Sequence, residues 1–192
     1  MRRLIAISGG IGCGKSVVSA ILGRLGYHVY DCDTRAKLLM DSSREIMNRL
    51  VNEIHESVVV DGHIDRKRLS QLVFSDTDKL ARLNSIVHGE VKTDLLRWAD
   101  RHGGDRLLFV ETAILYQSGL DKMVDEVWEV VAPIALRIER VMRRNGCSAA
   151  EVESRIASQA VNVESPHGTV HKIVNDGFTP LLPRVEALIG RG

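Results

Sequence analysis

Gly9-Gly10-Ile11-Gly12-Cys13-Gly14-Lys15-Ser16 is the stretch on which the reading of this chain turns. It fits the pattern of a loop that wraps a phosphate, because glycines let the backbone close around an anion with its N–H groups pointing inward. A helix starting at Ser16 would add the positive end of its dipole. In such a loop Lys15 reaches the β- and γ-phosphates of a nucleoside triphosphate, and the Ser16 hydroxyl ligates Mg²⁺. Gly10, Ile11, Gly12, Cys13, Gly14, Lys15 and Ser16 are therefore the expected nucleotide-binding residues. Cys13 reads as a small loop residue whose backbone matters, not as a reactive thiol. The flanks agree. Residues 3–8 form a short apolar strand, and Val17, Ala20, Ile21 and Leu25 recur along one side of a helix over 16–25.

Working outward, short apolar runs alternate with helical periods, which is how a parallel α/β sheet reads. Gly26 ends the first helix, and 27–31 is a second strand. Further strands are expected at 107–111, 127–131 and 172–175, the last followed by Gly177 and a closing helix through Leu181, Val185 and Leu188. The stretch between the second and third strands is far longer than one crossover helix needs. It reads as a helical insert, with helices over 35–53 and 66–101 broken once at Val58–Ile64 by an Asp61-Gly62 turn. A second insert, 135–168, reads as two polar helices separated by Asn145-Gly146.

Composition excludes several classes. Of 192 residues, 44% are hydrophobic and 27% charged, a globular balance and not a disordered one. Lys and Arg number 26 against 25 acids, and aromatics comprise three Phe, three Tyr and two Trp. A nucleic-acid binder is expected to be more basic and richer in stacking rings. No apolar run nears the roughly 20 residues of a membrane helix, and the run Leu4–Ile7 is too short for a signal peptide. Cys13, Cys32 and Cys147 have neither zinc spacing nor a disulfide pattern. The expectation is a soluble, cytoplasmic protein; its oligomeric state stays open.

The loop specifies a nucleoside triphosphate and leaves the acceptor open. Asp31-Cys32-Asp33 ends the second strand on the loop side, and strand alternation puts both carboxylates on one side. One would orient or deprotonate an acceptor hydroxyl while the other supports it; the competing reading is a helix cap, since Asp33-Thr34 precedes a helical run. Glu111, at the end of its strand, reads either as a carboxylate serving metal-bound water or the acceptor, or as a plain cap. Arg137, Arg140 and Arg144 share a helical face in the second insert. They would either hold the migrating phosphoryl group, with Arg140 foremost, or form a solvated basic face.

The chain resembles the dephospho-coenzyme A kinase family over nearly its whole length. Beyond the loop and Asp31-Cys32-Asp33, the resemblance is carried by 61–69 (DGHIDRKRL), 73–76 (VFSD), 83–88 (LNSIVH), 155–159 (RIASQ) and 173–177 (IVNDG). It implies a five-stranded parallel sheet of the phosphate-loop nucleoside triphosphate hydrolase type, flanked by helices. It further implies a nucleotide-binding core (1–34, 103–134, 169–192), a helical acceptor-binding insert (35–102) and a helical lid (135–168). The implied reaction moves the γ-phosphoryl group of ATP to the ribose 3′-hydroxyl of dephospho-coenzyme A. On that resemblance Asp33 is the catalytic base, acting with Lys15 and the lid arginine Arg140. Val17 joins the ATP-binding residues, and Asn175 and Gly177 lie near adenine. His88, Glu111 and Gln117 join Asp33 in acceptor binding.

Three residues depart from the family pattern. Gly89 stands where proline is usual after His88, which should loosen a turn there. His88 itself would contact the acceptor or cap a helix end at Gly89. Val17 stands where a hydroxyl residue is common, and Gln117 replaces a carboxylate in the run Ala113-Ile114-Leu115-Tyr116-Gln117. Gln117 bears on acceptor affinity more than on phosphate chemistry. It is also the one feature favouring a non-catalytic nucleotide-binding protein. A nucleoside-monophosphate-type kinase is the nearer alternative, whereas a GTPase switch lacks its Asn-Lys-x-Asp guanine-reading motif.

Overall fold

Arg3–Ser8 forms β1, and Ile5, Ala6 and Ile7 are at most 1% exposed. A run apolar on successive residues has no wet face, so it belongs in the middle of a sheet covered on both sides. In this computed structural model, which describes residues 2–159 and 167–190, β1 is the central strand of five. The others are β2 (Val29–Asp31), β5 (Leu107–Glu111), β6 (Glu126–Val131) and β7 (Val170–Val174), in the order β2-β5-β1-β6-β7. The short β3 (Val59–Val60) and β4 (His63–Ile64) form a separate antiparallel hairpin. The ladders β1–β5, β1–β6 and β6–β7 are parallel, so their carboxyl ends, and the loops that leave them, lie at one edge. The expected parallel five-stranded α/β sheet is the one observed.

The chain divides into two compact units, Met1–Tyr30 with Gly103–Gly192, and Asp31–His102. In the first, α1 (Lys15–Arg24) and α9 (Leu181–Ile189) cover one face of the sheet. Val18 and Leu22 of α1 and Val185 and Leu188 of α9 join Ile5, Ile7, Phe109, Trp128 and Ile173 in one core, which also takes in Cys13. Each such fully buried aliphatic side chain contributes roughly 1.5–3 kcal/mol, so this layer, and not the loop, holds the unit together. The helices α6 (Leu115–Ser118), α7 (Ile134–Asn145) and α8 (Ala149–Gln159) also belong to it. The turn between α7 and α8 is the expected one, with Gly146 in the left-handed region at φ 66°. Of the segments expected as lid and closing region, 160–166 and 191–192 lie outside the described residues.

The second unit is helical except for its hairpin, and its core includes Ile46, Leu50, Val58, Leu69, Val73 and Ile86. Its two long expected helices are each broken. One becomes α2 (Cys32–Ser42) and α3 (Arg44–Glu53), the other α4 (Arg66–Phe74) and α5 (Thr77–Arg101). The breaks are caps. Ser43 Oγ accepts from the Ile46 N–H at 3.2 Å, and Asp76 Oδ1 accepts from the N–H groups of Asp78 and Lys79 at 3.1 and 3.0 Å. A side-chain oxygen that satisfies an orphan helical donor competes with helix continuation, which apolar periodicity alone does not register. Those backbone N–H groups also hold the Asp76 carboxyl below its ordinary range, the Lys79 N–H foremost.

The turn expected at His88-Gly89 is absent, and with it the helix-end cap: α5 runs straight through both residues. Glycine inside a helix costs about 1 kcal/mol relative to alanine, less than the packing of Ile86, Val91, Leu95 and Ala99 returns. A Cβ added at Gly89 would meet only Arg49 Nη1, at 3.9 Å. Gly89→Ala should therefore raise stability by about 0.5–1 kcal/mol, read as a higher midpoint in urea with unchanged m-value. Among the described residues no helix is long and apolar enough to cross a membrane.

Candidate active site

The loop 9–16 leaves the carboxyl end of β1 and runs into α1, whose first residue is Lys15, one earlier than expected. Gly12 and Gly14 have φ of 79° and 96°, which side-chain-bearing residues rarely adopt, and this is what the glycine spacing provides. The Lys15 ammonium donates to the Gly9 carbonyl at 2.9 Å and to that of Gly10 at 3.5 Å. Ser16 and Val17 are exposed at the start of the helix, while Cys13 is buried in the core. The polar partners of Cys13 are on its backbone: its N–H donates to the Gly10 carbonyl at 3.3 Å, and Asn175 Nδ2 donates to its carbonyl at 2.8 Å.

Asn175 follows β7 and is buried. Besides gripping Cys13, it accepts from Arg140 Nη2 through Oδ1 at 3.1 Å, and its carbonyl accepts from Arg140 Nη1 at 3.3 Å. Arg140 Nη1 also reaches the Gly12 carbonyl at 3.5 Å. Sequence thus separated by more than 160 residues meets at the loop because β1, β6 and β7 are parallel neighbours. Beyond Asn175, Asp176 accepts from the N–H groups of Phe178 and Thr179 at 2.9 and 2.8 Å. The Thr179 bond is the larger cause, and the Asp176 carboxyl is held below its ordinary range. Gly177, at φ 91°, completes this turn.

Of the three arginines expected on one face, Arg137 and Arg140 contact the loop. Arg144 is exposed and donates to its neighbour Asn145. Glu111 ends β5 opposite Ile7 of β1 and accepts from the Ser19 hydroxyl of α1 at 2.6 Å. A cleft of about 240 Å³ adjoins the loop, lined by Ser8, Gly9, Gly10, Gln117, Glu129 and Gln159 among others. A larger one, about 370 Å³, opens at the amino ends of β1 and β5 beside Arg3, His28 and Asp105, and holds none of the loop residues. In a parallel sheet ligands sit at the carboxyl ends, so the smaller cleft is the relevant one.

Asp33 and His88 belong to the other unit. Asp33 is not at a strand end. β2 stops at Asp31, and Asp33 lies in the first turn of α2, exposed. The cap is Asp31, whose Oδ1 accepts from the N–H groups of Asp33 and Thr34 at 3.0 and 3.1 Å and whose Oδ2 accepts from the Thr34 hydroxyl at 2.6 Å. Strand alternation therefore did not apply, because the cap turns the chain into a helix at once. A bidentate ion pair, Arg35 Nε and Nη2 to Asp94 at 2.8 Å each, ties α2 to α5 and fixes the helix that carries Asp33. Within α5, burial holds the half-buried His88 imidazole below its ordinary value, and the nearby Lys92 charge adds to this.

One residue escaped sequence reasoning, and another was expected in a different place. Gln159 Oε1 accepts from the Ile11 N–H at 2.8 Å, and Arg137 Nε donates to the Ile11 carbonyl at 2.9 Å. Gln159 stood in a quoted motif with no role attached; Arg137 was expected either on the migrating phosphoryl group or on a solvated face, and its partner here is the Ile11 carbonyl.

The sequence pattern shared by dephospho-CoA kinases matches residues 3–180. The chain belongs to the dephospho-CoA kinase family. Among curated relatives, the dephospho-CoA kinase of Porphyromonas gingivalis is 40% identical over 186 residues, covering 96% of this chain and 92% of that protein. The dephospho-CoA kinase of Thermus thermophilus is 36% identical, covering 94% and 87%. A crystal structure of a Thermus thermophilus protein superposes with a TM-score of 0.81 at 33% identity, covering 99% of this chain and 97% of that one. The shikimate kinase of Acinetobacter baumannii, at 12% identity and TM-score 0.53, shares the fold over 100% of this chain and 93% of its own. As a dephospho-CoA kinase family member the protein is a kinase, and kinases of this family use ATP.

Proposed function

We propose that this protein transfers the γ-phosphoryl group of ATP to the ribose 3′-hydroxyl of dephospho-coenzyme A, giving coenzyme A and ADP. The observation that carries the reading is the phosphate loop between β1 and α1, with Asn175 and Arg140 gathered on its carbonyls at the carboxyl edge of the sheet. Loop N–H groups and Lys15 hold the β- and γ-phosphates, and Arg140 balances charge on the migrating group as residues 135–168 act as a lid. Asp33 accepts the proton of the ribose hydroxyl as that oxygen bonds to phosphorus and the bond to the leaving ADP oxygen breaks. Residues 35–102 form the acceptor-binding part, with His88, Glu111 and Gln117 as contacts and Gln117 donating or accepting where the family carries a charge. Asn175 and Gly177 serve the adenine end.

Among the described residues no group of three or more His, Cys, Asp or Glu is placed to hold a metal ion. A Mg²⁺ ion that arrives with ATP needs none, since phosphate oxygens and water supply most of its ligands. The exposed Ser16 hydroxyl at the loop's end is a hard oxygen donor that fits this ion, and Ser16 would hold it. When bound, the ion neutralises phosphate charge. Cys13, Cys32 and Cys147 are all free thiols, as suits a reducing cytoplasm.

The deciding experiment measures ADP release with MgATP and dephospho-coenzyme A, with AMP, or with no acceptor. Release well above background is expected only with dephospho-coenzyme A, with phosphorus NMR showing the product phosphate on the ribose 3′ position. Faster release with AMP would replace this reading by a nucleoside-monophosphate kinase.

A further inference from the structure

Three side chains hold three successive carbonyls of the phosphate loop: Arg137 Nε on Ile11 at 2.9 Å, Arg140 on Gly12 at 3.5 Å and Asn175 Nδ2 on Cys13 at 2.8 Å. The Arg137 contact differs from the other two. It joins α7 to a residue whose own N–H is held by Gln159 of α8, so both peptide groups of Ile11 are fixed. Gly10 is the reason the guanidinium fits, because a Cβ there would collide with Arg137 Nη2.

In a planar trans peptide the C=O of one residue and the N–H of the next point in opposite directions. Holding the Ile11 carbonyl toward α7 therefore turns the Gly12 N–H away from α7. Gly12 sits at φ 79°, where glycine has little intrinsic preference for one peptide orientation. We propose that Arg137 is a positioning residue for phosphoryl transfer: it sets the Gly12 N–H toward phosphate by gripping the Ile11 carbonyl through Nε, and its charge is not what matters. The proposal rests on the reading of 9–16 as the ATP-binding loop.

The hydrogen bond comes from Nε, and the amide nitrogen of glutamine occupies the same place along its side chain. Arg137→Gln thus keeps the donor and removes the charge, whereas Arg137→Met removes both. MgATP affinity by calorimetry, kcat and KM, melting temperature and the Gly12 amide resonance are measured on all three proteins. The Met variant is expected to bind MgATP about tenfold more weakly with an unchanged melting temperature and a displaced Gly12 amide signal. The Gln variant should stay within about threefold of wild type in affinity and kcat. A Gln variant as impaired as Met would overturn the proposal in favour of charge acting on phosphate. A Met variant equal to wild type would overturn it outright. If Met does not fold, wild-type behaviour of the Gln variant supports the donor role and its impairment refutes it. Wild-type protein that binds no MgATP would instead refute the loop reading itself.

Discussion

Replacing Lys15 with alanine should lower dephospho-coenzyme A phosphorylation by at least about a thousandfold, while the circular dichroism spectrum and melting temperature stay those of the wild type. The size follows from where charge grows. In a loose phosphoryl-transfer transition state the leaving β–γ bridge gains negative charge, and an ammonium fixed by the loop carbonyls stabilises it far more than it stabilises the bound ground state. The fold should not notice. Lys15 donates to the carbonyls of Gly9 and Gly10, but the core under the loop is built from Ile5, Ile7, Val18, Leu22, Phe109 and Trp128. A folded Lys15→Ala protein with turnover near that of the wild type would remove the phosphate-loop assignment.

Asp33→Asn is the second large effect. Aspartate and asparagine have nearly the same shape, and both accept a hydrogen bond, but only the carboxylate can take the proton of a ribose hydroxyl. General-base assistance of this kind contributes about 10²–10⁴-fold, so kcat should fall at least a hundredfold with MgATP affinity changed by less than about fivefold. Stability is a sharp control here, because the capping function lies elsewhere. Asp31 holds the first turn of α2 through three hydrogen bonds, and Asp31→Ala should cost about 1 kcal/mol. Asp33 contributes only its charge near the helix start, a few tenths of a kcal/mol. Normal turnover by Asp33→Asn would make Asp33 a bystander and direct the search to Glu111. A large loss of stability with intact chemistry would contradict the assignment of the cap to Asp31.

Much of this was legible in the sequence, and the reasons are local. The phosphate loop is written in glycine spacing because Gly12 and Gly14 must adopt φ of 79° and 96° within a few residues of each other. The strands β1 and β5 fell where continuous apolar runs predicted, because a strand covered on both faces leaves no polar alternation to misread. The helix α7 and the turn at Gly146 were equally plain, and so was the hairpin at Asp61-Gly62. Boundaries set by a single side chain were less so. Ser43 and Asp76 cut two helices in half, and Asp31 turned the chain from β2 straight into α2, each by satisfying backbone donors that periodicity does not weigh. The helical period over 66–101 already enclosed Gly89, and what failed was the turn expected after His88; the cost of a glycine there is small beside the burial of its neighbours.

By itself, then, the sequence determined what depends on residues near one another in the chain: the loop, the strands, the helical periods and the chemistry that Lys15, Ser16 and Asp33 can offer. The order β2-β5-β1-β6-β7 was decided only in three dimensions, since parallel pairing joins strands that share no local code. The grip on the loop was decided there too. Arg137, Arg140, Gln159 and Asn175 lie more than 120 residues beyond it, and they reach its carbonyls and N–H groups because β6 and β7 run parallel to β1 and deliver their following segments to the same edge. A backbone hydrogen bond to a distant side chain leaves no periodic trace in either segment, so only the packed sheet could assemble it.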